Sequence, residues 1–408
     1  MNIAEKLMSE GCWLDFFEYR DRTRKMSLAE KKELEEFISE KRYLRFSEAF
    51  ADGSIEIPPV CLREISKHSN GKKRRIFLYE GDFQLFLKML AYLLSVRYDC
   101  MFEDNCYAFR RNMCPGDAIR RITGTKGIWK KYSLKTDLHD YFNSIPTEQL
   151  IEKLGFLKDE DGQALDFLKK MLLTPKIKQD SRAACEDGLH KFGVMAGTPT
   201  APFLANVYLM DIDRRFGERD ILYFRYSDDI LVFADSTEEI EKIEGELTEE
   251  ISKRGLLFNP TKRRVTTPGE EFEFLGFSFR EGVVGLAPHS VEKINGKIRR
   301  KARALRRWAY KRELPGDKAA KGFIKAMNHK FYDEGEDGDF SWSRWFFPNI
   351  TTSEDLGRID EYMQKYARYC VTGRHYKGNY RISYESLKEW GYRSLVAEYY
   401  NARENRKK

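Results

Sequence analysis

Residues 224–234 read Phe-Arg-Tyr-Ser-Asp-Asp-Ile-Leu-Val-Phe-Ala, two short runs of aromatic and branched residues on either side of Ser227-Asp228-Asp229. The pattern predicts a strand, a tight turn and a second strand. No other stretch constrains the fold as much, because it puts two adjacent carboxylates at the tip of an apolar hairpin. Burying charge there is costly unless something cationic offsets it. Magnesium, with its preference for carboxylate and phosphate oxygens, suits such a place. In isolation an Asp-Asp pair is more often a solvated turn, so the rest of the chain must decide.

With 408 residues, 41% of them hydrophobic and 14% of all residues aromatic, the chain can form two or three domains with real cores. No uncharged apolar run is long enough for a membrane span. The start, Met1-Asn-Ile-Ala-Glu-Lys6, lacks the layout of a signal peptide. Seven cysteines sit at irregular positions, and Cys100, Cys106 and Cys114 do not match zinc-ribbon spacing. They read as free thiols in a reducing, cytoplasmic setting with no membrane partner. The net charge of +7 is modest but uneven: between Lys297 and Arg312 every charged residue is Lys or Arg. That concentration favours a polyanionic partner.

In chain order, the first fifty residues are helical in pattern, with Ser27-Leu-Ala-Glu30 as a capping box. Asn70-Gly71 and the run Lys72-Lys-Arg-Arg75 precede apolar residues 76–79, which predicts a hairpin with a cationic lip. Taken by itself, the stretch is better read as a solvated edge strand whose basic residues deter aggregation. A long helix over 83–97 follows, then Cys106-Tyr-Ala-Phe-Arg110-Arg111, where guanidinium groups meet aromatics. Residues 134–145 predict a strand ending at Asp137, then a helix from about Thr147 to Gly155. A strand-end aspartate is a natural metal ligand and also a natural helix cap. Residues 193–202, punctuated by Gly193, Gly197, Pro199 and Pro202, predict a loop leading into a helix to about Phe216. Such a loop suits close approach to a nucleotide, or is simply a helix start. After the hairpin come a second capping box (Ser236 to Glu239) with its helix, a strand over 256–258, Asn259-Pro-Thr-Lys262, and an alternating hairpin over 273–279. The order resembles a split βαβ layout, an antiparallel sheet backed by helices. In it Asp137 and the Asp228–Asp229 turn sit on neighbouring strands and three carboxylates converge.

The last third changes character. Ile298, Ala302, Leu305 and Ala309 form a narrow apolar seam and leave Arg299, Arg300, Arg303 and Arg307 on the other faces of a helix. The acidic loop 334–339 precedes Trp342, Trp345, Phe346 and Phe347, which need burial. Helical patterns near 354–369 and 384–390 flank Arg374-His-Tyr-Lys377-Gly-Asn-Tyr-Arg381. That mix of bases and aromatics fits stacking and phosphate contact with nucleic acid, or a solvated loop. Convergent carboxylates with basic flanks call for a reaction that accumulates negative charge, and phosphoryl transfer by two metal ions fits. Asp137 and Asp228 would bridge both ions and Asp229 would support them.

Taken together, residues 71–279 resemble the ordered motifs of reverse transcriptases. Tyr226-Ser227-Asp228-Asp229 resembles the family's Tyr-x-Asp-Asp box, residues 135–145 its first catalytic strand, and Asn259 to Lys262 a later motif. Phe274-Leu275-Gly276-Phe277 resembles the primer grip. The resemblance implies an α+β right-hand polymerase: an N-terminal helical extension (1–55), fingers (56–133), a split-βαβ palm (134–287) and a helical basic thumb with a C-terminal extension (288–408). It implies Asp137, Asp228 and Asp229 as catalytic residues, and Asp137, Leu138, Asp228 and Asp229 around two Mg2+ ions, for which Mn2+ can substitute. The deoxynucleoside triphosphate would meet Arg74, Arg75, Arg110, Asp140, Tyr141, Phe142, Ala196, Gly197 and Lys262. Phe142 would be a steric gate that leaves no room for a 2′-hydroxyl, and Lys262 a proton donor to pyrophosphate.

Where many members have Pro-Gln-Gly, this chain has Met195-Ala196-Gly197. The form Gly-x-x-Ala-Gly-Thr-Pro is similar to bacterial "unknown group" enzymes, which include defence-associated and abortive-infection members. A Val371-Thr-Gly373, a triplet that retron enzymes carry nearer the primer grip, lies far downstream and reads as coincidence. Residues after Phe279 show no sign of an endonuclease, ribonuclease H or integrase. The expected function is RNA-directed DNA synthesis on a cognate non-coding RNA in antiphage defence, with RNA template, DNA primer or product and dNTPs as partners. Template-free or protein-primed synthesis, and a maturase- or retron-like RNA-binding role, are the alternatives.

Overall fold

Basic residues after a turn signal and before an apolar run form a hairpin: β1 (Cys61–Ser66) pairs antiparallel with β2 (Lys73–Leu78). The computed structural model describes residues 1–24, 26–66, 73–178, 193–219, 221–332 and 341–405. The Asn70-Gly71 turn, Lys72, the Arg74 side chain and the acidic loop 334–339 lie outside the described residues. Two compact units divide the chain, Met1–Thr23 with Leu28–Pro268, and Arg24–Ser27 with Gly269–Lys408.

In the first unit, strands β3 (Tyr132–Asp137), β4 (Leu222–Tyr226), β5 (Asp229–Ala234) and β6 (Arg264–Thr266) form one antiparallel sheet in the order β4-β5-β3-β6. This is the split βαβ arrangement the alternation of elements predicts. Helix Ala201–Glu218 packs on β4, and helix Thr237–Lys253 on β3 and β5. The latter buries Ile240, Ile243, Leu247 and Ile251, the apolar positions at helical spacing. Its Ser236 Oγ accepts from Glu239 N, but the Glu239 carboxylate turns to Asp235 N, so only half of the capping box forms.

The strand expected over 256–258 is reduced to one bridge, Leu138 to Phe258. Leu257 is 67% exposed and Pro260 opens a short 3-10 turn, so the ladder resumes only at β6. The N-terminal helices share the core of this unit. Trp13 is fully buried against Phe37 and Tyr43, and Phe50 and Phe86 pack on Phe167. Buried Asp161 accepts from Ile3 N (2.6 Å) and from the Tyr98 hydroxyl and pairs with Arg97, which ties the first helix to the body of the unit.

The second unit holds a three-stranded sheet, β7 (Phe272–Phe274), β8 (Phe277–Arg280) and β9 (Val283–Leu286), and three mutually packed helices, Pro288–Lys311, Gly316–Tyr332 and Glu354–Thr372. The boundary between the two compact units falls at 268/269. The reason is that the β7–β9 sheet is bonded to residues C-terminal to it: Ala287 N donates to Gly276 O and Leu286 N to Asp355. Gly316 is required where its helix meets another, since a Cβ there would lie 2.2 Å from Val371 O. Ile298, Ala302 and Ala309 of the expected seam are buried, as are Phe346 and Phe347. Among the described residues no helix is long and apolar enough to cross a membrane.

Buried Asp360 organises the end of this unit, accepting from the Tyr392 and Ser394 hydroxyls and from Leu395 N and Val396 N at the start of helix Leu395–Asn405. Truncating it strands four donors at once. Asp360→Ala is expected to cost about 3 kcal/mol, read as a lower urea midpoint for the unfolding of this unit.

Candidate active site

Register brings the three acidic residues to one end of the sheet. Asp137, last in β3, pairs opposite Asp229, first in β5, and Tyr226 closes β4 opposite the same Asp229. Ser227 and Asp228 are therefore a two-residue turn, with Ser227 in the left-handed region (φ 60°). Leu138 N donates to Asp228 O (3.1 Å), and Asn259 N to Asp137 O (2.7 Å), so the backbone around the acids is held from both sides. Leu138 itself is buried and has only its main chain to offer a ligand.

Asp137 is 4% exposed, and Lys262 Nζ sits 2.5 Å from its Oδ2. Burial pushes the Asp229 carboxyl up to about 6; the Asp228 and Asp137 charges add to this, and Lys135 and Lys262 oppose it. A buried carboxyl pushed up by its acidic neighbours marks a place short of positive charge, and a divalent cation fits that deficit. As the side chains stand, no three His, Cys, Asp or Glu among the described residues are grouped to hold a metal. At Asp137 the positive charge is supplied by the Lys262 ammonium.

Beneath the turn lies an ion pair that the sequence pattern did not reveal. Arg225 and Asp213 are both fully buried and joined by two bonds, Nε to Oδ1 at 2.7 Å and Nη2 to Oδ2 at 2.5 Å. Arg225 Nη1 also donates to Ser227 O and Asn206 Oδ1, Nη2 to Cys106 Sγ, and Tyr223 donates to Asp213. Burial lowers an arginine pKa, but the Asp213 charge outweighs it and Arg225 is held well above its ordinary value. The same burial pushes the Cys106 thiol up to about 12. Residues 105–107 run alongside: Arg225 N donates to Asn105 O and Tyr107 N to Arg225 O. The available signal was an arginine inside an otherwise apolar strand.

Around the expected nucleotide site, Tyr141 is buried with its hydroxyl donating to Ala205 O, and Phe142 is half-buried above it in the short helix Tyr141–Ser144. Asp140 precedes them at φ 45°. The loop carrying Ala196 and Gly197 docks on the β1–β2 hairpin, with Phe77 N donating to Ala196 O (2.7 Å). Gly197 stands at φ 106°, where a Cβ would be 2.9 Å from Phe77 O. Arg75 is exposed on β2 opposite Glu64. Arg110 is otherwise engaged: its side chain is 7% exposed, paired with Asp99 and donating to Glu103 O and Asp99 O. It is a structural anchor, with its donors already spent and none directed at a triphosphate.

In the second unit Leu275 and Gly276 form the β7–β8 turn, both at positive φ, while Phe274 and Phe277 are fully buried. Only the turn, not the two rings, is available to a ligand. Arg299, Arg300, Arg303, Arg307, Arg374 and Lys377 are exposed. Arg307 and Arg374 meet in a cavity of about 380 Å³ lined also by Arg306, Tyr310, Lys311, Thr372 and Gly373. The Val371-Thr-Gly373 triplet, distant in sequence from the grip, thus ends at the wall of a basic cavity.

The sequence profile of the family described as reverse transcriptase (RNA-dependent DNA polymerase) matches residues 65–279, 215 of the 408. The chain is 25% identical over 181 residues to the Retron Ec86 reverse transcriptase of Escherichia coli, covering 43% of this chain and 50% of that protein. It is 25% identical over 227 residues to the Retron Mx65 reverse transcriptase of Myxococcus xanthus, covering 52% and 50%. The chain spans about half the length of these relatives. Similar solved structures include apo telomerase from Candida tropicalis, with a TM-score of 0.44 and 13% identity over 86% of this chain and 72% of that one. Telomerase from Candida albicans with a TWJ fragment of telomeric RNA has a TM-score of 0.42 and 12% identity over 87% and 68%.

Arg225→Met leaves the Asp213 charge buried without its cationic partner, with only the Tyr223 hydroxyl donating to it, and is expected to cost roughly 3–5 kcal/mol in chemical unfolding. The raised Asp229 carboxyl stabilises the folded chain below the ordinary value of 3.8, and that contribution is lost as pH climbs through about 6. Asp229→Asn is therefore expected to be more stable than the parent at pH 7 in EDTA, by on the order of 1–3 kcal/mol, and Mg2+ is expected to stabilise the parent alone.

Proposed function

The chain belongs to the reverse transcriptase family, and we propose that it is an RNA-directed DNA polymerase working by two-metal-ion nucleotidyl transfer. The observation that carries this reading is the register that sets Asp137 opposite Asp229 at the foot of the Asp228 turn. Asp137, Asp228 and Asp229, with the Leu138 carbonyl, would hold two Mg2+ ions. Bound there, the ions would supply Lewis acidity to a primer 3′-hydroxyl and to the leaving pyrophosphate.

The protein's own groups do the rest. The Phe142 ring excludes a 2′-hydroxyl from beneath the sugar. Lys262, half-exposed at the rim of the acid cluster, gives a proton to the departing pyrophosphate. Arg75 on the fingers strand binds triphosphate oxygens, and the Ala196-Gly197 loop, pinned to Phe77, forms the wall beside the incoming nucleotide. The basic helix Pro288–Lys311 and the cavity at Arg307 and Arg374 bind the phosphates of template and product.

The template in this reading is a cognate non-coding RNA and the setting is bacterial antiphage defence. The Gly193-x-x-Ala196-Gly197-Thr198-Pro199 loop favours it, and sequencing RNA that co-purifies with the protein, together with its cDNA, tests it. Random or homopolymeric DNA made without RNA would overturn templating. Asp228→Asn is expected to reduce magnesium-dependent primer extension by about 10³-fold or more with RNA binding retained; unchanged extension would exclude the polymerase reading.

A further inference from the structure

Phe109 stands in a backbone conformation that a phenylalanine rarely adopts, φ 58°, and it is 44% exposed between buried Ala108 and an anchored Arg110. A bulky residue in the left-handed region is strained and persists only where its surroundings over-determine it. Here both flanks are fixed. Asn206 Nδ2 donates to Ala108 O (2.7 Å), and Arg110 is bonded to Asp99 and to Glu103 O. Core packing does not explain the strain, because the ring is not in the core. What the conformation achieves is placement: the Phe109 ring stands edge-on to Phe142, at 6.0 Å and 88°, and 6.4 Å from Tyr226, which adjoins the acidic turn.

Phe142 needs such support. It lies in a helix of four residues whose N-cap, Asp140, makes no side-chain cap. A ring that must reject a single hydroxyl cannot lean aside by even part of an ångström. Its backbone is gripped by a separate contact: Val194 N donates to Phe142 O (2.9 Å), and Gly193 lies so close that a Cβ would be 2.1 Å from that oxygen and 2.8 Å from Asn143 Cα. With φ 52° as well, the position admits only glycine.

We infer that Phe109 and Gly193 are positioning residues that clamp Phe142 from two sides, Phe109 on the ring and Gly193 on the backbone, and so set how strictly the site selects deoxyribose over ribose. The inference rests on the proposed role of Phe142 against the sugar. Neither residue needs to touch the nucleotide. Removing Phe109 leaves the gate standing but free to tilt.

The test is single-nucleotide primer extension by the full chain, comparing kcat/KM for a dNTP and its rNTP. Phe142→Ala is expected to lower the deoxy-to-ribo ratio by roughly 10²-fold. Phe109→Ala is expected to lower it about 5- to 10-fold, with dNTP kcat within about twofold of the parent. In the Phe142→Ala background, Phe109→Ala is expected to add nothing, because it acts only through that ring. Phe109→Gly, which relieves the backbone, is expected to lose the same discrimination while melting no lower than the parent. Gly193→Ala is expected to act in the same direction as Phe109→Ala. An unchanged ratio for Phe109→Ala where Phe142→Ala is relaxed overturns the clamp alone. Additive effects in the double variant also overturn it, since Phe109 would then meet the nucleotide itself. An unchanged ratio for Phe142→Ala overturns the gate and the clamp together.

Discussion

The Arg225–Asp213 pair is the contact on which the acidic end of the first unit depends. Two fully buried opposite charges repay their desolvation only when geometry and further hydrogen bonds are good. Here the pair is bidentate and the remaining donors reach Asn206, Cys106 and the Ser227 carbonyl. One guanidinium therefore joins the helix Ala201–Glu218, the 105–107 segment and the acidic turn. An apolar pair of similar volume would pack as well or better, but it would not hold the Ser227 carbonyl, and the turn would lose its tie to the helix.

That rigidity supports an electrostatic load. Asp229 is pushed up to about 6 by burial and by its acidic neighbours, and Lys262 lies on Asp137. The arrangement is unfavourable for an apo fold and favourable for one that receives divalent cations. Backbone strain is concentrated in the same place. Of the eight non-glycine residues at positive φ among the described residues, Phe109, Asp140, Met195 and Ser227 all surround the acids or the expected nucleotide loop. Strain of about 1–3 kcal/mol per site persists where surrounding contacts leave no alternative.

Much of this was legible in the residues because local rules govern it. Alternating apolar residues around Ser227-Asp228-Asp229 could hardly form anything but a hairpin, and helical spacing at Ile240, Ile243, Leu247 and Ile251 placed a helix behind the sheet. The segment 256–258 misled because its composition suits a strand while its partner, Leu138, offers only one bridge before Pro260 turns the chain. Arg110 misled for a different reason. A guanidinium beside aromatics looks the same in sequence whether it faces a phosphate or an internal carboxylate, and Asp99 decides the matter only in three dimensions.

Sequence alone determined the family, because the ordered motifs of residues 65–279 match it, and it offered paired acids on an apolar hairpin, with a third at a strand end, as candidate ligands. It also determined that the chain would build an antiparallel sheet backed by helices, since periodicity is a local property. Tertiary structure alone decided which acids face one another, that Arg225 is buried against Asp213, and that Phe109 and Gly193 bear on Phe142. Those outcomes depend on strand register and on contacts between residues from 12 (Asp213 and Arg225) to 92 (Asp137 and Asp229) positions apart. The residues carry no local mark of such pairings, and the acidic hairpin acquires its support only when the chain has closed around it.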